Sequence, residues 1–269
     1  MRKAALLWIA TALALAAVAC STNVVILATT TSTQDSGLLD VLVPMFEGQS
    51  GFNVKTIAVG SGQAIRLGAE GEVDVILAHS PAAEQEFVAG GHSESRRKVM
   101  HNDFVIVGAA DDPAGLLAAV SASDAFTRIA EEEATFMSRG DESGTNSKEL
   151  AVWSDTDVTP GGSWYQETGQ GMGATLTVAN DKRAYTLSDR GTFLATQHAY
   201  DLEIVFEGDP RLFNPYTVMV VNSERHSKVN AAGARAFAEF ITSPAAQEVI
   251  RTFGVEEFGE PLFVPDAME

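Results

Sequence analysis

The sequence has few of the residues on which several protein classes depend. Its single cysteine, Cys20, excludes a disulfide within the chain. Only five histidines are present, and neither a G-x-S-x-G elbow nor an H-E-x-x-H helix occurs, so a hydrolase would lack a recognisable nucleophile with its base. Basic residues number 18 against 36 acidic residues, and the net charge of −18 makes nucleic acid a poor partner. We therefore expect neither an enzyme nor a nucleic-acid-binding protein.

Long apolar runs are also scarce, since residues 4–19 form the only run that approaches the length of a membrane span. A basic start precedes this run and small residues follow it, which predicts a secretory signal over residues 1–20. Residues 17–20, AVAC, resemble a lipobox, although that motif prefers leucine where Ala17 stands. The resemblance implies a lipid on Cys20 and an exported chain, in the periplasm or at the outer face of the cytoplasmic membrane. The alternative is ordinary cleavage nearby, which leaves Cys20 as a free thiol.

The rest of the chain alternates between short β-branched runs and segments with an apolar residue every three to four positions. Such alternation predicts an α/β fold whose mainly parallel sheets are flanked by helices. The turn-rich segment 111–115 and the run near Asn214 are the two places where we expect the chain to pass from one lobe to another. We therefore expect two lobes, with residues 111–214 inserted between 21–110 and 215–269. The predicted strands are residues 23–28, 52–59, 73–78, 103–109, 135–138, 202–206 and 216–221.

Two loops rich in small polar residues follow predicted strands of the first lobe. Five hydroxyl residues, Thr29 to Thr33, come directly after the first strand, and Ser61 stands between Gly60 and Gly62 after the second. Each loop precedes a predicted helix, and ligands of open α/β sheets bind at the carboxyl ends of strands. The two loops therefore predict a ligand site, with a threonine-rich capping turn as the alternative for the first.

A third loop, FMSRGDESGT at residues 136–145, lies in the second lobe. Ser143 or Thr145 is a candidate N-cap for a helix over residues 146–155. The start of a helix offers unpaired N–H groups and partial positive charge, and the Arg139 guanidinium adds a planar set of donors for oxyanions. The loop therefore predicts an anion site. The alternative is a capped helix with an ion pair between Arg139 and Asp141.

Two further residues are weaker candidates. Arg190 lies in a polar run before a predicted helix at 193–199 and is a second cation for the pocket, unless it pairs with Asp189. His79 ends the third strand, where it either contacts a ligand or closes the strand end.

Several of these segments together resemble a known family. They are ATTTSTQDSGLL from Ala28, VGSGQA from Val59, SRGDESGT from Ser138, TLSDRGT from Thr186 and NPYTVMVVN from Asn214. The segments are similar to those of the tungstate-binding proteins of tungstate ABC transporters, and the likeness covers essentially the whole chain after the signal. The resemblance implies the two-lobed periplasmic-binding-protein fold of type II, with a ligand cleft between lobes that close by a hinge.

The same resemblance implies which residues bind the ligand. It also implies an ABC permease as partner, a monomeric chain, no cofactor and no free metal cation. Which of the three consecutive hydroxyls touches the anion stays open at this point. The implied ligand residues are Thr30, Thr31, Ser32, Ser61 and Gly62 from the first lobe, and Arg139, Ser143, Gly144, Thr145 and Arg190 from the second.

The identity of the anion depends on whether the site offers acceptors as well as donors. Tungstate and molybdate carry no proton at neutral pH and call for donors only, whereas phosphate carries a proton and needs an acceptor carboxylate. The orientation of Asp141 distinguishes the two anions. If its carboxylate faces the pocket, the site favours phosphate, and if it pairs with Arg139, the site favours tungstate. Molybdate and sulfate are alternatives on the same fold, and an exported hydrolase is a remote one. A structural lipoprotein would not explain the clustered donors.

Overall fold

The structure is a computed structural model that describes residues 23–267. The predicted signal at 1–20 and the predicted lipid on Cys20 lie outside the described residues. The strands are β1 Val24–Thr30, β2 Asn53–Val59, β3 Val75–Ala78, β4 Ser93–Ala109, β5 Phe136–Ser138, β6 Tyr165–Glu167, β7 Thr186–Asp189, β8 Leu202–Phe206, β9 Phe213–Val221 and β10 Val264–Pro265. The helices are α1 Thr31–Asp35, α2 Leu38–Ser50, α3 Ser61–Glu70, α4 Pro81–Ala89, α5 Ala122–Glu131, α6 Gly144–Ser154, α7 Met172–Lys182, α8 Arg190–Thr196, α9 Ala231–Ile241, α10 Pro244–Thr252 and α11 Val255–Phe258.

The first sheet has the strand order β10–β4–β9–β3–β1–β2. Strand β1 is parallel to both β2 and β3, whereas β9 is antiparallel to β3 and β4. Apolar residues of β1 alternate between two buried clusters, with Leu27 in one and Ala28 in the other, because helices cover both faces of the sheet. The carboxyl ends of β1 and β2 lead into α1 and α3, which brings the two predicted loops of this lobe to one edge.

Strand β4 continues from the first sheet into a second one. Residues Ser93–Asp103 pair with β9, and residues Phe104–Ala109 pair with β7 and β8. The parallel pair β5–β6 lies beside β7, and Phe126, Phe136 and Trp153 form an aromatic core there. We call β1–β3, β9, β10, α1–α4 and α9–α11 lobe I, and β5–β8 with α5–α8 lobe II.

The chain crosses between the lobes at β4 and at the start of β9. The pairing of β4 changes after Asp103, which is earlier than the predicted boundary at residue 110. The return crossing is at Phe213, where β9 begins, close to the predicted boundary at 215. The α/β prediction is confirmed. Among residues 23–267 no helix combines the length and the apolar character needed to cross a membrane.

Two elements differ from the sequence predictions. The first half of β4, SESRRKVMHN, is too polar to predict as a strand and is held by its pairing with β9. The helix expected after the threonine loop is α2, but the loop itself contains the additional short helix α1, which Gly37 separates from α2 by its left-handed φ of 79°. That break lets the short α1 belong to the loop rather than to the flanking layer.

Candidate functional site

The loops of the two lobes meet where α3 and α6 begin. Ser61 is the first residue of α3, and Gly144 is the first residue of α6. A Cβ atom placed on Gly144 would lie 3.0 Å from Ser61 Oγ and 2.9 Å from the carbonyl oxygen of His79, and one placed on Gly60 would lie 3.4 Å from the carbonyl oxygen of Asp141. The lobes are therefore in contact here, and only a residue without a side chain fits at position 144 without displacement.

Arg139, near this contact, bonds to residues of both lobes. Its side chain is only 2% exposed, and its Nη2 donates to Asp141 Oδ2 at 2.5 Å and to Thr31 Oγ1 at 3.3 Å. Asp141 Oδ1 accepts in turn from the backbone N–H of Ser143 at 3.2 Å. The carboxylate of Asp141 is thus occupied by Arg139 and by its own loop, and it orients the guanidinium.

Three buried polar atoms at this contact have no hydrogen-bond partner among the described residues. They are Ser61 Oγ, Arg139 Nε and Thr145 Oγ1. A buried polar group without a partner costs about 1–3 kcal/mol, so such groups usually have a ligand or water to satisfy them. All three atoms can donate a hydrogen bond. The contact therefore presents unused donors from both lobes.

The threonine loop is held by its own side chains. Thr30 caps α1, accepting from the backbone N–H of Thr33 at 3.2 Å, and its hydroxyl is 2.6 Å from the Thr33 hydroxyl. The Ser32 hydroxyl lies 3.1 Å from both Thr30 Oγ1 and His79 Nε2. The Thr31 hydroxyl faces lobe II, where it accepts from Arg139. The three hydroxyl residues therefore lie together at the contact between the lobes, but the hydroxyls of Thr30, Thr31 and Ser32 have different partners.

The first turns of three helices surround these side chains. Ser143 caps α6, its Oγ accepting from the N–H of Asn146 at 3.1 Å. Gly62 lies in the first turn of α3, where an added Cβ would be 3.2 Å from the carbonyl oxygen of Glu142. Gly171 precedes α7, and an added Cβ there would be 3.6 Å from Thr31 Oγ1. The sequence analysis missed Gly171, although a glycine-rich run before a helical segment was the available signal.

His79 lies in the middle of the structure and not on its surface. Its ring stacks on Tyr216 with centroids 4.6 Å apart and on Phe104 at 6.1 Å, and its Nδ1 is 2.8 Å from Asn214 Oδ1. Burial lowers the pKa of the imidazole, more strongly than the nearby Asp189 carboxylate and the Asn214 hydrogen bond raise it. The ring is therefore neutral at physiological pH.

The structure does not bring Arg190 to this group. The Arg190 guanidinium donates from Nε to Asp103 Oδ1 at 2.6 Å and from Nη2 to Asp103 Oδ2 at 2.8 Å, and it also pairs with Glu207. The Asp103 hydrogen bond raises the Arg190 pKa, so the charge is fixed. The alternative pairing with Asp189 does not occur either, because Asp189 caps α8 by accepting from the N–H of Thr192 at 2.9 Å.

A buried carboxyl group supports the Arg139 loop from below. Glu149 accepts from Ser138 Oγ at 2.6 Å, from Tyr165 OH at 2.7 Å and from Trp153 Nε1 at 3.2 Å. Burial raises the Glu149 pKa, and these hydrogen bonds oppose the rise. Ser138 also accepts from the N–H of Gly140, which starts the turn after Arg139. These hydrogen bonds fasten the start of the Arg139 loop to the buried Glu149.

Comparisons with known proteins place the chain in a family. Residues 17–245 match the PBP superfamily domain. The chain is 48% identical to the tungstate-binding protein TupA of Peptoclostridium acidaminophilum over 90% of this chain and 86% of that protein, and 39% identical to the protein of the same name from Campylobacter jejuni over 88% of each.

Solved structures give the same result. The tungstate ABC transporter protein of Geobacter sulfurreducens is 48% identical, with a TM-score of 0.79 over 86% of this chain and 98% of that one. The tungstate-binding protein TupA of Desulfovibrio alaskensis is 40% identical, with a TM-score of 0.76 over 90% and 98%. The two-lobed fold and the resemblance stated from the sequence are confirmed. The chain belongs to the PBP superfamily and, within it, to the family of the tungstate-binding proteins TupA.

Proposed function

We propose that this chain binds tungstate between its two lobes as the extracytoplasmic solute-binding component of an ABC importer and delivers it to the permease. Its relatives are named as tungstate-binding proteins and as part of a tungstate ABC transporter. These names describe binding and transport, which confirms the prediction that the chain is not an enzyme.

The set of unused donors at the lobe contact is the observation that carries this proposal. Ser61 Oγ, Arg139 Nε and Thr145 Oγ1 are buried, come from both lobes and have no partner among the described residues. A tetrahedral dianion accepts hydrogen bonds in several directions at once, so one ion can satisfy donors that no protein group reaches. Hydrogen bonds to a charged group are worth about 1.5–3 kcal/mol each, more than bonds between neutral groups.

The proposed ligand set follows from this geometry. From lobe I it contains the threonine loop, Ser61 and the Gly62 amide. From lobe II it contains Arg139, Thr145 and the first turn of α6, which Ser143 caps and Gly144 begins. Arg190 is left out, because two carboxylates hold its guanidinium elsewhere.

The position of Asp141 favours tungstate or molybdate over phosphate. Phosphate at neutral pH carries a proton that needs an acceptor in a buried site. The carboxylate of Asp141, which sequence analysis singled out for that role, instead accepts from Arg139 and from the N–H of Ser143. The donors that remain suit an anion without a proton.

Export and anchoring complete the proposal. A signal over residues 1–20 directs the chain out of the cytoplasm, and a lipid on Cys20 holds it at the outer face of the membrane beside its permease. The chain acts as a monomer. Mass spectrometry of the mature N-terminus checks the lipid: a diacylglyceryl mass on Cys20 supports the anchor, and an unmodified thiol contradicts it.

Thermal unfolding with four anions tests the ligand. Tungstate and molybdate at micromolar concentration are expected to raise the melting temperature, whereas phosphate and sulfate at the same concentration are not, because only anions that bind the folded state shift the transition. Equal shifts with phosphate would contradict the assignment. A control with Arg139→Gln is expected to abolish most of the tungstate shift.

A further inference from the structure

The threonine loop is connected to both crossing strands through buried side chains. Asn102 lies on β4, and Asn214 lies at the start of β9, the two strands by which the chain passes between the lobes. Asn214 Nδ2 donates to Asn102 Oδ1 at 2.7 Å, and Asn214 Oδ1 is 2.8 Å from His79 Nδ1. His79 Nε2 is 3.1 Å from the Ser32 hydroxyl. A continuous polar chain therefore runs from the hinge to the anion loop.

The donors and acceptors along this series of hydrogen bonds have a defined direction. The series ends at Asp189, whose carboxylate can only accept. Asp189 Oδ1 accepts a hydrogen bond from Asn102 Nδ2, 3.4 Å away. Asn102 must then present its Oδ1 to Asn214. Asn214 in turn presents its Oδ1 to His79, so the ring proton lies on Nδ1. Since the ring is neutral, Nε2 is an acceptor, and the Ser32 hydroxyl is left as the donor to it.

We propose that Asp189, Asn102, Asn214 and His79 form a directed hydrogen-bond relay that commits the Ser32 proton to His79, which makes Ser32 a positioning residue of the anion loop rather than a ligand. The proton of Thr31 is not used in this way, because Thr31 accepts from Arg139. The Thr33 hydroxyl and N–H can both donate to Thr30, and since the Ser32 proton goes to His79, the Thr30 proton goes to the Ser32 oxygen 3.1 Å away. The relay thus separates Thr31, whose proton stays available to the anion, from Thr30 and Ser32, which hold the loop.

The relay also joins the anion loop to lobe II. Thr192 of α8 donates to Asp189 Oδ2 at 2.7 Å, and its hydroxyl is 3.1 Å from the carbonyl oxygen of Ser32. The Ser32 side chain therefore bonds to His79, and its backbone carbonyl competes with Asp189 for the single proton of the Thr192 hydroxyl. The inference rests on the proposed function for the identity of the anion but not for the relay itself.

Nitrogen NMR of the full mature chain tests the direction of the relay without any substitution in the measured protein. With histidine labelled at both ring nitrogens, His79 is expected to be the neutral tautomer with the proton on Nδ1, with and without tungstate. The signal is assigned by its loss in His79→Asn. A ring protonated on Nε2, or a charged imidazolium at neutral pH, would overturn the relay.

A double-mutant cycle tests its effect on binding. Ser32→Ala and His79→Asn are each expected to weaken tungstate binding roughly three- to tenfold, the range of one neutral hydrogen bond. The double variant is expected to lose no more tungstate affinity than the single variant that binds less tightly, because both substitutions remove the same hydrogen bond. His79→Gln, which keeps an acceptor near the Nε2 position, is expected to bind more tightly than His79→Asn. Losses that multiply in the double variant would show that Ser32 touches the anion independently.

The controls separate this inference from the proposed function. His198→Asn makes the same change at an exposed histidine whose ring stacks on Phe258, outside the relay, and is expected to keep tungstate affinity within about twofold of the wild type. If the wild-type chain does not bind tungstate, the proposed function fails, and the NMR tautomer still decides the relay. If the wild type binds and the cycle shows no coupling, the relay alone is wrong.

Discussion

Replacing Gly144 by alanine separates closure of the lobes from stability of the fold. The new methyl group would lie 2.9 Å from the carbonyl oxygen of His79 and 3.0 Å from Ser61 Oγ. The first of these atoms is backbone and cannot move aside without shifting the end of β3. Overpacking of this kind costs about 1–3 kcal/mol, and each 1.4 kcal/mol is a factor of about ten in affinity. We therefore expect Gly144→Ala to weaken tungstate binding roughly five- to 150-fold.

The open protein should not suffer from the same change. Gly144 is the first residue of α6, and alanine is a better helix former than glycine by up to about 1 kcal/mol. The matched control is Gly48→Ala in α2, where an added Cβ meets nothing within 4 Å. Both variants are expected to unfold at or above the wild-type temperature without ligand, while only Gly144→Ala loses affinity in calorimetry. Wild-type affinity in Gly144→Ala would refute the contact between the lobes as the closed state.

Three further substitutions distinguish the roles of the charged residues. Arg139→Gln is expected to weaken tungstate binding at least about tenfold in calorimetry, because it removes a charge-assisted contact worth about 1.5–3 kcal/mol; unchanged affinity would remove Arg139 from the site. Asp141→Asn is expected to leave tungstate affinity within about threefold, since the one amide oxygen can still accept from Arg139 and only the hydrogen bond from the Ser143 N–H is lost, whereas a large loss would return the carboxylate to the pocket and favour phosphate. Arg190→Gln is expected to lower the melting temperature by a few degrees, since Asp103 and Glu207 lose their partner, and to keep the affinity; a loss like that of Arg139→Gln would restore Arg190 to the ligand set.

Local patterns were sufficient to predict the loops that the structure brings together. Ser61 and Gly144 each begin a helix after a strand, and small residues in that position leave the N–H groups of the first turn accessible, although they also suit a helix cap. Arg139 was predicted because a cation beside a helix start is suited to anions. The family resemblance added the expectation that these loops belong to one site. The spacing of residues along the chain does not predict that.

The features that sequence analysis missed depend on long-range contacts. Arg190 pairs with Asp103, far away in sequence, whereas the sequence offered only its neighbour Asp189 as a partner. The first half of β4 is mostly polar, with Arg96, Arg97 and Lys98 exposed, and becomes a strand by pairing with β9 and β10. His79 appeared as an isolated histidine, because Asn214 and Ser32 reach it only in the folded chain.

Calorimetric titration of the mature chain with tungstate, molybdate, phosphate and sulfate tests the central claim most directly. A site built from donors of both lobes, with Asp141 held by Arg139, predicts saturable binding of one tungstate per chain and at least about a hundredfold weaker binding of phosphate, a difference of about 2.7 kcal/mol that an unpaired buried proton can account for. Phosphate binding as tight as tungstate, or no binding of any of the four anions, would contradict the account.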